Sequence, residues 1–253
     1  MDSNLYFIFF IGIISAYFGS FSSGGVSALS IALLASLGMP PQMAGITFKL
    51  GKIGDTLGWV YHFHKWGHIP KDLIFGGGIA LMIGSFLGSY FIVSLSDTIM
   101  YLGCGLSMLI LTFVSTFRKV SVPGKISDSR KYSGFLGYFV LSIVGNLFPA
   151  GSWVWYYFNN TLILRLTPLQ SKWIASVLAF FWFIGTLLGI LSAWVYRIDW
   201  ALALGLGMLI WGHFGTKHII KIGDELLRYI LLTTIAIFAL YFLYLAYTSW
   251  QII

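Results

Sequence analysis

The sequence predicts an all-α polytopic membrane protein made of two inverted repeats, each a broken-helix hairpin followed by three spans. Three observations carry this: the scarcity of charge, the length of the uncharged runs, and a pattern that returns at a near-constant offset. Only 9% of the 253 residues are charged, and the mean hydropathy is +0.87. Soluble domains carry about 25% charged residues, so this chain cannot cover its surface for water. Uncharged runs of 22, 19, 23 and 25 residues fill 74–95, 99–117, 173–195 and 229–253. Roughly 18 apolar residues are enough to make a span.

The chain divides at 118–131, the one long polar connection, which carries five basic residues with Pro123 and Gly124. The expected units are a first repeat over 1–117, a cytoplasmic linker over 118–131 and a second repeat over 132–253. At an offset near 127 residues, Gly19–Gly25 aligns with Gly145–Gly151, Pro41 with Pro168, Gly76–Gly78 with Gly205–Gly207, and Asp97 with Asp224. The matches keep their order, which argues for duplication. Asp2 precedes the first apolar run, with neither a basic leader nor a small-residue cleavage site, so that segment is expected to remain in the protein.

Each half opens with an apolar stretch too long for one span. Residues 3–37 and 132–164 hold 35 and 33 positions. As straight helices either would reach about 50 Å, against roughly 30 Å of hydrocarbon. Each is interrupted near its middle, at Ser22–Gly25 and at Phe148–Gly151. Glycine permits turns that other residues resist, and proline removes a donor, so a hairpin of shorter helices fits better than a rod. The positive-inside rule tests the alternatives. Four plain spans per half divide the loop lysines and arginines eight inside to five outside, whereas hairpins that return to their starting side place twelve inside and only Arg197 outside. The hairpin arrangement inverts the second half relative to the first and puts both termini on the periplasmic side. Broken helices in inverted repeats are a recurrent way of building a transport site.

The segment 43–62 breaks the apolar pattern. Lys49, Lys52 and Asp55 follow one another at i, i+3 spacing and so line one side of a helix. Three central charges cost roughly 8–10 kcal/mol on the insertion scale. The segment's six Leu, Ile, Phe and Val residues return only about 2–4 kcal/mol. That side must face protein or a wet cavity. The functional reading is that Lys49, Lys52 and Thr47 receive a small anion while Asp55 pairs with a lysine or relays a coupling proton. The alternative is a buried ion-pair network that only orders the bundle.

The breaks add donors. Helix starts at Ser22, Ser23, Gly24 and Gly25, and at Gly151 and Ser152, would present free backbone N–H groups and a positive dipole end to an anion. The Asn146 amide and the serine hydroxyls extend that set. Trp153, Trp155, Tyr156 and Tyr157 beside the second break are candidates for its walls. Gly76–Gly78, Gly84 and Gly88 are read as close helix packing. His62, His64 and His68 have only Asp72 nearby to complete a ligand set, so no metal is expected. The single Cys104 excludes a disulfide framework. No nucleophile–base pair or nucleotide-binding motif is present, so neither an enzyme nor a cofactor is expected. The net charge of +7 suits basic cytoplasmic loops rather than nucleic-acid binding.

At these residues the chain resembles the TauE/SafE sulfite exporter family over nearly its whole length. The resemblance rests on the break at Gly19–Gly25, the Leu37–Ala44 segment with Pro40 and Pro41, the Ala44–Thr47 motif, the basic-polar turn His64–Asp72, Gly84 and Gly88, and the Asp97-led helix. Thr47 and Lys49 match the family pattern, whereas Phe48 and Phe148–Ala150 stand where members carry small residues. The resemblance implies a bacterial inner-membrane carrier of sulfite, sulfonates or related anions; a proton and a sodium ion are the candidate coupling ions. A passive anion channel and a non-transporting scaffold subunit are the alternatives.

Overall fold

The computed structural model describes residues 3–21, 25–63, 71–117, 126–192, 197–222 and 224–251. These form ten α-helices: α1 (Ser3–Phe21), α2 (Gly25–Ser36), α3 (Pro41–Phe63), α4 (Lys71–Phe91), α5 (Asp97–Phe117), α6 (Asp128–Leu147), α7 (Ser152–Phe158), α8 (Pro168–Leu191), α9 (Ile198–Ile222) and α10 (Asp224–Trp250). A 3-10 turn at Ile92–Ser94 follows α4, and a π-helical turn at Asn159–Ile163 follows α7.

Local chemistry explains the boundaries. Gly38, at φ +83°, turns the chain after α2, and Pro41 opens α3, where its missing N–H costs nothing. Pro168 opens α8 behind a capping box in which Thr167 and Gln170 satisfy each other's backbone N–H groups. The first opening stretch is described as two helices, and the second is broken. α1 ends at Phe21 and α2 begins at Gly25. α6 ends at Leu147, and Gly151 adopts a left-handed conformation at φ +76° ahead of α7. The second stretch returns to the side it started from: Asn159 Nδ2, just past α7, donates to the Gly134 carbonyl near the start of α6 at 3.1 Å. Asn160 bonds both Tyr138 of α6 and Ser171 at the start of α8.

The surface and interior are inverted relative to a soluble protein. Phe7, Phe10, Phe75, Leu136, Leu202 and Leu240 are exposed, whereas Lys49, Lys52, Asp55 and Asn146 are buried. Lys71–Ser94 and Trp173–Leu191 are each long and apolar enough to cross a membrane, and α1, α2, α5, α9 and α10 supply shorter apolar runs.

Helix pairing follows a simple scheme: α9 packs on α1 and α3, α4 packs on α6 and α8, and α5 packs on α10. Exchanging the first five helices for the last five turns each pairing into another that is present. Contacts also set directions. Gly51 meets Ala201 and Gly54 meets Gly205, so α3 and α9 are parallel. Gly78 meets Phe181 and Gly185 meets Met82, while Gly84 meets Phe139 and Gly88 meets Ile143, so α4, α6 and α8 are parallel to one another. Gln42, at the start of α3, donates to Asp97 at the start of α5 at 2.8 Å. Because α4 ends just before α5 begins, α4 runs opposite to α3.

Backbones touch at the α3–α9 crossing. A Cβ on Gly54 would lie 2.0 Å from the Gly205 carbonyl oxygen, with no flexible side chain to give way. Gly54→Ala is therefore expected to lower stability by about 1–3 kcal/mol, read as a fall in the unfolding midpoint of the detergent-solubilised protein. An unchanged midpoint would show that the two helices separate freely.

Candidate functional site

The charged side of α3 is enclosed. Lys49 and Asp55 are 0% exposed and Lys52 is 1% exposed. Lys52 Nζ pairs with Asp55 Oδ2 one turn along the helix, and Thr56 Oγ1 donates to the Lys52 carbonyl at 3.1 Å. The Lys52 ammonium also lies 5.6 Å from the centre of the Trp153 ring, within range of a cation–π attraction.

Lys49 is held differently. Its ammonium donates to the Asn146 carbonyl at 2.7 Å. Asn146 lies in the last turn of α6, where carbonyls lack intrahelical partners and the helix dipole is negative. The lysine thus takes the place of a cap. No carboxylate pairs with Lys49 among the described residues. Two lysines and one aspartate thus lie enclosed within two turns of α3.

Asn146 is the junction of four helices. Its Oδ1 accepts from Ser89 of α4 at 2.9 Å and from Thr186 of α8 at 3.1 Å, while Nδ2 donates to the Ser142 carbonyl at 2.8 Å. Its backbone carbonyl holds Lys49 of α3. This network fixes the end of α6 against the charged helix just before the chain breaks.

The second break meets the start of α2. The Gly151 N–H donates to Ser27 Oγ at 3.0 Å, joining residues 124 apart in the chain. Val26, Ala28, Ala150 and Val154 share one apolar cluster around them. Beyond Gly151, α7 presents Trp153 and Tyr156, one turn apart and both buried. Trp153 packs edge-on against Tyr156 and against Trp182 of α8, with ring centres 5.2 and 5.6 Å apart. The indole nitrogens of Trp153 and Trp182 and the hydroxyl of Tyr156 have no hydrogen-bond partner among the described residues.

Lys49, Lys52, Asp55 and Asn146 are therefore brought together, with Gly151 and Ser152 at the adjoining break. Ser152 is buried and in contact range of Gly145. Thr47 stands apart: its hydroxyl donates to the Met39 sulfur at 3.7 Å, and a two-residue step along a helix turns roughly 200° away from Lys49. Gly25 opens α2, while Ser22, Ser23 and Gly24 lie outside the described residues, as do His64, His68 and linker positions 118–125. Gly84 and Gly88 pack against backbone of α6.

Ser89, Thr186, Ser27 and Trp182 were not among the residues singled out from the sequence. Trp182 had a signal: at an offset of 127 residues it falls opposite Asp55. Ser89 and Thr186 are lone hydroxyls in apolar helices, and nothing local separates them from residues that bond their own helix.

A family model described as Sulfite exporter TauE/SafE matches residues 8–242, from within α1 to within α10. No curated protein and no solved structure matches the chain. The matched span includes every helix that contributes to the charged junction. The chain belongs to the TauE/SafE sulfite exporter family and is a polytopic membrane transporter rather than an enzyme.

Proposed function

We propose that the protein is a secondary transporter that moves a small sulfur-containing anion, sulfite, a sulfonate or a related oxyanion, across the bacterial inner membrane by alternating access. The observation that carries this reading is the buried Lys49, enclosed where the broken chain of α6 and α7 meets α3. Its ammonium rests on a helix-end carbonyl, and no carboxylate pairs with it among the described residues. An anion completes that charge balance. An empty membrane scaffold has no need of it.

The two halves act as inverted repeats. In support, α3 and its second-half counterpart α8 run in opposite directions, as do α4 and α9, and the pairing scheme survives exchange of the halves. Lys131 at the start of α6 pairs with Asp72 at the start of α4 at 2.5 Å, consistent with both basic helix starts lying on the cytoplasmic face. Both termini then lie in the periplasm. Lys49, Lys52, Asn146, Gly151 and Ser152 bind the anion, and Asp55, paired with Lys52, is placed to exchange a proton or sodium ion as the anion enters.

Proteoliposomes test the mechanism. Vesicles loaded with unlabelled sulfite are expected to take up radiolabelled sulfite by counterflow that saturates with concentration. Flux that never saturates and carries current would make the protein a channel, and the absence of flux from folded protein would make it a scaffold.

A further inference from the structure

Buried donors without partners among the described residues fall into two kinds. The hydroxyls of Ser15, Ser30 and Ser85 lie inside helices, where rotation about one bond returns the proton to a carbonyl in the preceding turn. The indole N–H groups of Trp153 and Trp182 and the hydroxyl of Tyr156 belong to long, rigid rings with no such recourse. An indole nitrogen only donates. Leaving a buried donor unpaired forfeits its hydration with no return, and native interiors rarely tolerate it. Here three such donors occur on side chains packed against one another, with the Lys52 ammonium over one of the rings.

We propose that Trp153 Nε1, Trp182 Nε1 and Tyr156 Oη, with Lys52 beside them, form a cage of hydrogen-bond donors for the three oxygens of an –SO3 group, which selects sulfite and sulfonates over phosphate and carboxylates. The proposal rests on the transport reading above and names the chemistry that its site recognises. A sulfonate offers three acceptor oxygens and no proton at neutral pH, so each donor finds an oxygen. Hydrogen phosphate carries a hydroxyl that must itself donate, and of these groups only Tyr156 Oη can accept it, giving up its own bond to the anion. A carboxylate has two oxygens and leaves one donor unmet. Sites whose buried polar groups are stranded by the wrong ligand discriminate far more strongly than sites that differ only in shape.

Calorimetric titration of the full-length protein in detergent tests this with methanesulfonate, sulfite, hydrogen phosphate and acetate at one pH and ionic strength. Methanesulfonate and sulfite are expected to bind, with phosphate and acetate weaker by roughly tenfold or more. Trp153→Phe, Trp182→Phe and Tyr156→Phe keep a ring and remove one donor. Each is expected to weaken methanesulfonate binding roughly tenfold to a hundredfold. Trp200→Phe is the control: it removes another buried, unpartnered indole N–H, in a ring 4.8 Å from the Arg197 guanidinium, and should leave binding unchanged. Wild-type selectivity is read without any variant, so a poorly folded variant does not blunt the test. Methanesulfonate binding unaltered in all three variants would mean that water alone satisfies these donors, and the cage would fall. Phosphate or acetate binding as tightly as methanesulfonate, with sulfite counterflow intact, would overturn the selectivity and leave the transport reading standing. If no anion binds and no counterflow occurs, both readings fail together.

Discussion

Asp55→Asn is expected to cost about 3–5 kcal/mol of stability, the effect of removing one member of a buried ion pair. The Lys52 ammonium would keep its burial, at 1% exposure, and lose the carboxylate that pairs with it. A neutral amide at position 55 can still accept a hydrogen bond, but it supplies no opposite charge. Replacing both partners is a different case. Lys52→Met with Asp55→Leu removes both charges, and buried pairs exchanged for apolar residues of similar volume are often neutral or stabilising. The double variant is therefore expected to recover most of the lost stability, as read by thermal unfolding in detergent. It is also expected to fold without transporting, because the pair belongs to the site. Sulfite counterflow at the wild-type rate in the double variant would reduce the pair to a structural role.

Lys49→Gln carries the second large effect, on binding rather than folding. The glutamine amide can donate to the Asn146 carbonyl that Lys49 now meets at 2.7 Å, so the end of α6 keeps a partner. What disappears is a unit positive charge. At about 4 Å and an effective dielectric near 20, such a charge attracts an anion by about 4 kcal/mol, roughly a thousandfold in affinity. Thermal stabilisation by sulfite should vanish while the midpoint without ligand moves little. An equal stabilising shift in the variant would remove Lys49 from the site.

Much of the architecture was legible before any coordinates. Hydropathy and loop charge are one-dimensional properties, so the membrane class, the two interrupted opening stretches and the returning second hairpin followed from reading along the chain. The burial of Lys49, Lys52 and Asp55 followed from the same reasoning, because charges at that spacing have no place against lipid. Thr47 was also within reach of helical periodicity, which turns it away from Lys49, although the family motif draws the two together. The contributions of Ser27, Ser89 and Thr186 were out of reach. Their hydroxyls resemble any others in apolar helices, and their roles come from partners on different helices.

The sequence by itself determined that this protein lies in the membrane, where its second opening stretch breaks, and that two lysines and an aspartate are enclosed on one helix. Each of those rests on composition or period, quantities that local stretches express without reference to the rest of the molecule. Only the tertiary structure decided what each charge meets: Lys49 with the end of α6, 97 residues away, and Lys52 with Asp55 and the face of Trp153. It also brought the second break against the start of α2 through Ser27 and Gly151, and left three aromatic donors on adjacent side chains without partners among the described residues. Those outcomes depend on how helices far apart in the chain cross. Glycines bring their backbones into contact at the crossings, and the hydrogen-bonding demand of groups sealed from water then selects the partners.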